Sequence, residues 1–95
     1  MASVYILSSK KLNKFYIGSC LDLEERLIEH RNKKFANSFT SVADDWELFL
    51  EISELEGSIA RKIENHVKSM KSKKYIENLK KYPEMRSKLI SNFSV

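Results

Sequence analysis

The chain has 95 residues, of which 42% are apolar and 32% charged, with one cysteine, two glycines and one proline. That supports one small hydrophobic core and excludes a low-complexity chain, an internal disulfide and a zinc site of Cys/His spacing. The net charge of +4 is uneven: residues 1–56 carry seven Lys/Arg against ten Asp/Glu, and residues 57–95 carry ten against three.

The basic excess therefore lies in the C-terminal third, where a polyanion would be held. A lysine-rich solvated helical surface accounts for the same excess. The longest apolar runs fall well short of the ~18 residues a membrane span needs. Met1 to Lys10 has no basic stretch ahead of its short apolar run, so no signal peptide is expected and a cytoplasmic location is. Cys20 reads as a small packing residue.

Ser3 to Ser8 is rich in strand formers, Ser9 to Asn13 is a polar turn, and Phe15 to Gly18 is a second strand. Together they make a hairpin, in which Tyr5 opposite Tyr16 gives a workable loop around Lys10 and Lys11. Alternation by two puts Ser3, Tyr5 and Leu7 on one face, and Tyr16 with Gly18 on one face. Asp22 is placed to cap a helix running to about Arg31, with Glu24 and Glu25 in its first turn. Residues 31–45 form a polar loop containing Phe35 and Phe39, of a length often tied to function. Trp46 to Ile52 is a third strand, apolar enough to be largely buried.

Ser58 is placed to cap a second helix reaching Met70. After a break near Lys71 to Lys73, a short helix is expected around Tyr75 to Lys81. Pro83 suits the first turn of a last helix, ending near Asn92. The order β-β-α-β-α-α-α predicts an α+β fold: a small three-stranded, mostly antiparallel sheet flanked by helices, as one domain over residues 1–95.

On a helical wheel Leu23 and Leu27 form the core stripe of the first helix, and Arg26 and His30 fall beside it, one turn apart. There a guanidinium and an imidazole can reach a phosphate and a leaving oxygen; an Arg that snorkels and a His at the core edge fit equally. In the second helix Ile59, Ile63, Val67 and Met70 form the stripe, with Ala60 on its flank and Glu64 at its edge. A carboxylate so placed can hold Mg²⁺, which takes oxygen ligands and keeps several waters; a surface glutamate is the plainer alternative. The site is expected on one sheet face, between the hairpin and the edges of both helices.

The set Ser3-Val4-Tyr5, Tyr16-Ile17-Gly18, Arg26, His30 and Glu64 resembles the GIY-YIG nuclease family, with the spacing from Tyr5 to His30 kept without gaps. The resemblance spans about Ser3 to Leu79, leaves the helix over 83–92 outside, and is greatest to small stand-alone bacterial members. The same domain type occurs in the incision subunit of bacterial excision repair (hence a link to DNA repair), in phage homing endonucleases and in structure-specific endonucleases. The resemblance implies an endonuclease hydrolysing phosphodiester bonds of DNA with one divalent metal, Mg²⁺ or Mn²⁺. Glu64 would be the metal ligand and Arg26 would bind the scissile phosphate. Tyr16 or Tyr5 would orient or deprotonate the attacking water, His30 would relay a proton or position that tyrosine, and Gly18 would let the backbone pass close to the site. A tyrosine base needs help from a cation to ionise near neutral pH, and a metal can acidify its own water, so both routes stay open.

Three positions depart from the family pattern. Ser3 stands where the first glycine of the name motif is usual. Asn78 is the candidate for a late site asparagine. The loop before the third strand ends in Ala43-Asp44-Asp45 rather than in basic residues, and Lys68, Lys71, Lys73 and Lys74 would compensate as nucleic-acid contacts. Two other classes fit the same chain: a nucleic-acid-binding module that keeps the fold without cutting, and an interaction protein with an incidental match. No protein partner or membrane surface is readable.

Overall fold

A computed structural model describes residues 1–31 and 45–94. The loop expected before the third strand, with Phe35, Phe39, Ala43 and Asp44, lies outside the described residues, as do the side chains of His30 and Arg31. The elements are β1 (Ala2–Ser9), β2 (Lys14–Cys20), α1 (Leu23–Arg31), β3 (Glu47–Leu55), α2 (Gly57–Met70), α3 (Lys73–Lys81) and α4 (Pro83–Phe93). The expected order and α+β class hold.

The strands form one antiparallel sheet in the order β2-β1-β3. β1 is central and buried along nearly its whole length, as a strand covered on both faces must be. Val4 and Ile6 face one way, toward Ile52, Ala60, Ile63, Val67, Ile76, Leu79 and Leu89 of β3 and the last three helices. Tyr5 and Leu7 face the other way, with Cys20, Tyr16, Leu23, Leu27 and Trp46. Each fully buried aliphatic side chain contributes on the order of 2 kcal/mol, so the larger cluster dominates stability and the smaller one carries the tyrosines.

Helix ends follow local chemistry. Asp22 caps α1, its carboxylate accepting from the Glu25 amide at 3.1 Å. Ser72 caps α3 by accepting from the Tyr75 amide, which starts that helix two residues earlier than expected. α2 ends at Lys71 in the left-handed conformation (φ 48°). Pro83 opens α4. The Arg86 guanidinium donates to the carbonyls of Leu79 and Lys80, tying α4 to the end of α3. With Leu89 buried and Met85, Ile90 and Phe93 on the main core, α4 is a packing element.

The structure corrects four local expectations. Tyr5 pairs with Gly18, and Tyr16 with Leu7, because four residues (10–13) separate the last pair, Ser9 and Lys14, where Tyr5–Tyr16 pairing would leave two between Ser9 and Leu12. β3 is not largely buried: it is an edge strand with irregular register against β1, and only Ile52 and Leu55 are sealed. Ser58 does not cap α2, which begins after Glu56 with no side-chain cap. Met70 is 43% exposed, so the α2 stripe runs through Ala60, Ile63 and Val67, one position closer to Glu64.

Candidate active site

The smaller cluster holds the first half of the candidate site. Tyr5 is 1% exposed, and its ring lies over Gly18: a Cβ built on Gly18 would stand 2.5 Å from the tyrosine oxygen and 2.6 Å from Cζ. Only glycine leaves room for that ring, so Gly18 is needed for close packing; its φ is not positive. The rings of Tyr5 and Tyr16 lie 6.2 Å apart between centroids and are tilted by 33°. Burial pushes the Tyr5 hydroxyl well above the usual tyrosine range, and Tyr16 adds to this. The Arg26 guanidinium, which donates to the Tyr5 oxygen, opposes the shift without reversing it. Tyr5 is therefore a neutral hydroxyl at physiological pH, while Tyr16 is only half-buried. Arg26 also approaches Glu29 at 3.8 Å.

Glu64 lies on the other side of the sheet. It belongs to α2, which packs on the main core, and its side chain is 16% exposed. Ser19 donates to Oε1 at 2.5 Å, and the Lys68 ammonium to Oε2 at 2.6 Å. The site is thus not confined to one sheet face as the helical wheels suggested. Side chains alternate along β2, so its successive residues address both faces: Tyr16, Gly18 and Cys20 the α1 side, Ile17 and Ser19 the α2 side.

The two halves meet at the C-terminal end of β2. An open cleft of about 220 Å³ there is lined by Ala2, Ser19, Cys20, Arg26, Ala60 and Arg61, among others. Two guanidiniums from different helices face this cleft, and Ser19 links it to Glu64. Ser19 and Arg61 escaped the sequence reading. Ser19 follows the Tyr16-Ile17-Gly18 motif directly, and alternation alone turns it toward α2. Arg61 is exposed beside buried Ala60, and nothing in its local sequence marks it.

Among the described residues, no three His, Cys, Asp or Glu side chains are grouped to hold a metal. Glu64 nevertheless suits a hard cation: it is one partly shielded carboxylate, and Mg²⁺ or Mn²⁺ is commonly held by one or two carboxylates, with water and substrate phosphate filling the other positions. The Lys68 ammonium supplies the positive charge on that oxygen here.

Other expected residues are placed elsewhere. His30 sits in the last turn of α1, its side chain outside the described residues. Lys71 and Lys74 are exposed at the α2–α3 junction. Lys73 donates to the Asn13 carbonyl at the hairpin turn. Asn78 shares α3 with Lys73 and does not line the cleft; its carbonyl accepts from the Tyr82 amide. Ser3 donates weakly to Glu51 at 3.5 Å. Asp45 accepts from the Ser9 hydroxyl and the Lys11 amide, bonds that hold its carboxyl below the usual range. Cys20 is 7% exposed and burial pushes its thiol up, which agrees with a packing role. The second histidine, His66, packs between Tyr75 and Phe93.

The GIY-YIG catalytic domain family matches residues 1–82. The chain belongs to this family of nucleases, as its opening motif implied. No curated protein and no solved structure gives a match. Among the described residues no helix is long and apolar enough to cross a membrane.

Proposed function

We propose that the protein is a divalent-metal-dependent endonuclease that hydrolyses phosphodiester bonds of DNA in the cleft at the end of β2. One observation carries this reading beyond family membership: Arg26 and Arg61 face one cleft from different helices, and Ser19 joins that cleft to the shielded carboxylate of Glu64.

Each residue has a role that its surroundings support. Arg26 binds the scissile phosphate and stabilises the charge that develops on it, a task for planar, permanently charged donors. Arg61 contacts the same phosphate or its neighbour. Tyr5, sealed and neutral, anchors Arg26 through its hydroxyl and takes no proton. That leaves Tyr16 to orient or deprotonate the attacking water. His30, on the turn of α1 after Arg26, relays a proton or positions Tyr16. Glu64 holds Mg²⁺ or Mn²⁺, oriented by Ser19, with Lys68 swung away into solvent. When bound, the metal supplies charge neutralisation at the phosphate and a more acidic water.

Purified protein incubated with branched, nicked and single-stranded DNA and with RNA, in Mn²⁺ and in EDTA, tests the reading. Metal-dependent DNA cleavage, lost in Arg26→Ala, is the expected result. Salt-sensitive binding with no cleavage of any substrate would replace it with the non-cutting module.

A further inference from the structure

The hairpin turn and α3, separate in sequence, come together at the end of the sheet opposite the Arg26 cleft. Asp45 holds the turn through Ser9 and the Lys11 amide. Ser9 in turn accepts from the Leu12 amide, and Lys73 of α3 donates to the Asn13 carbonyl. Beside this braced turn lies an open cleft of about 310 Å³, bordered by Lys10, Lys14, Phe15, Glu47, Phe49 and Lys80. Phe15 and Phe49 pack edge to face, 4.9 Å between centroids, and the Lys80 ammonium stands 4.5 Å over the Phe49 ring.

Lys10, Lys14 and Lys80 border this cleft with Glu47, and Lys11 and Lys73 belong to the turn and helix that frame it. Asp45 is already engaged with the turn. The negative N-terminal half thus contributes its turn lysines to the same surface as basic α3, a convergence that summing charge along the chain conceals. Rigid presentation matters, since a braced turn loses little side-chain and loop freedom on binding.

We propose that this cleft is a second nucleic-acid contact, holding the sugar-phosphate backbone of the substrate away from the cut bond. The inference rests on the nuclease reading and gives it a direction. The two clefts are separated by the length of β1 from Ala2 to Ser9, roughly 23 Å at ~3.3 Å per residue. Backbone phosphates of one strand follow at ~3.4 Å along a duplex, so the second contact falls about seven nucleotides from the first. Lysines act there as point charges, without base readout.

The test is fluorescence anisotropy in EDTA with end-labelled duplexes of 6 to 20 base pairs across a salt series, comparing wild type with Lys10→Ala/Lys14→Ala/Lys80→Gln. Each lost phosphate contact lowers the slope of log K against log salt by about 0.9, so the triple variant loses roughly 2 to 3 from its slope. Wild type gains affinity once the duplex exceeds about seven base pairs, and the variant lacks that gain. The single variant Lys10→Glu, at an exposed turn position, moves both readouts the same way and controls for any loss of the Lys80–Phe49 contact. Slopes and length dependence equal to wild type in both variants overturn the second contact and leave the nuclease reading standing. A wild type that neither binds nor cuts any nucleic acid overturns both.

Discussion

The Tyr5 ring lies on Gly18, its hydroxyl oxygen 2.5 Å and its Cζ 2.6 Å from where a Gly18 side chain would begin. Two residues of the name motif are thus a single packing unit. Gly18→Ala should cost about 1–3 kcal/mol, the usual range for overpacking a tight core. Tyr5→Phe in the same chain should not restore the loss, because the ring carbon remains. Urea unfolding of the two single variants and the double variant checks this. Recovery of stability in the double variant would show that the hydroxyl alone makes the contact.

The alkaline limb of the stability profile follows from the same burial. The Tyr5 proton is held to a higher pH in the folded chain than in the unfolded one, where it leaves near 10.0. Above that value the unfolded chain binds fewer protons, so stability falls as pH rises. The contribution is complete below about pH 10 and drains away as pH climbs toward the folded value. Tyr5→Phe has no such proton. The stability gap between wild type and Tyr5→Phe should therefore stay constant up to about pH 10 and narrow above it. A gap that stays constant or widens above about pH 10 would show that Tyr5 ionises freely in the folded protein.

Glu64 shares its two oxygens between the Ser19 hydroxyl and the Lys68 ammonium. Lys68 competes with any cation for Oε2. Its side chain is 51% exposed, and an exposed pair of this kind is worth only a few tenths to about 1 kcal/mol. Lys68→Met should then tighten Mn²⁺ binding by up to ~5-fold, read by titration calorimetry without substrate. Ser19→Ala should weaken it by leaving the carboxylate unoriented. Mn²⁺ affinity unchanged in both variants would place the metal away from Glu64.

Arg86 ties α4 to the α3 C-terminus through two carbonyls. Those carbonyls have no helical partner, and a cation there also meets the negative end of the helix dipole. Arg86→Ala should cost about 1–3 kcal/mol and expose the α4 amides to early hydrogen exchange. Full retention of their protection would show that α4 docks by apolar packing alone.

Much of this architecture was legible from local pattern. The hairpin, the Asp22 cap, the amphipathic α2 and the Pro83 start each rest on residues close in sequence, and each stands where its pattern put it to within a few positions. Sequence failed where pairing partners decide. The register of Tyr5 depends on the whole turn, and the exposure of β3 depends on its place at the sheet edge. The layout of the candidate residues was not legible. A wheel shows that Glu64 borders a core stripe without showing which face of the sheet that stripe covers. The role of Ser19 was hidden for the same reason: alternation turns it away from Gly18, but only the packing shows that α2 and Glu64 cover that face. The two tyrosines of the motif looked equivalent in sequence, and their burial separates them.

The most direct test of the account is single-turnover cleavage of DNA in Mn²⁺ by wild type and Glu64→Gln, with the fold of both verified by melting. Gln keeps the shape and the Ser19 bond but loses the negative charge that a cation needs. The account predicts cleavage by wild type, abolished by EDTA, and a fall of at least about 100-fold in Glu64→Gln, the scale on which removing one transition-state-stabilising group acts. Equal cleavage by the two proteins would contradict it, and would place the metal and the chemistry away from α2.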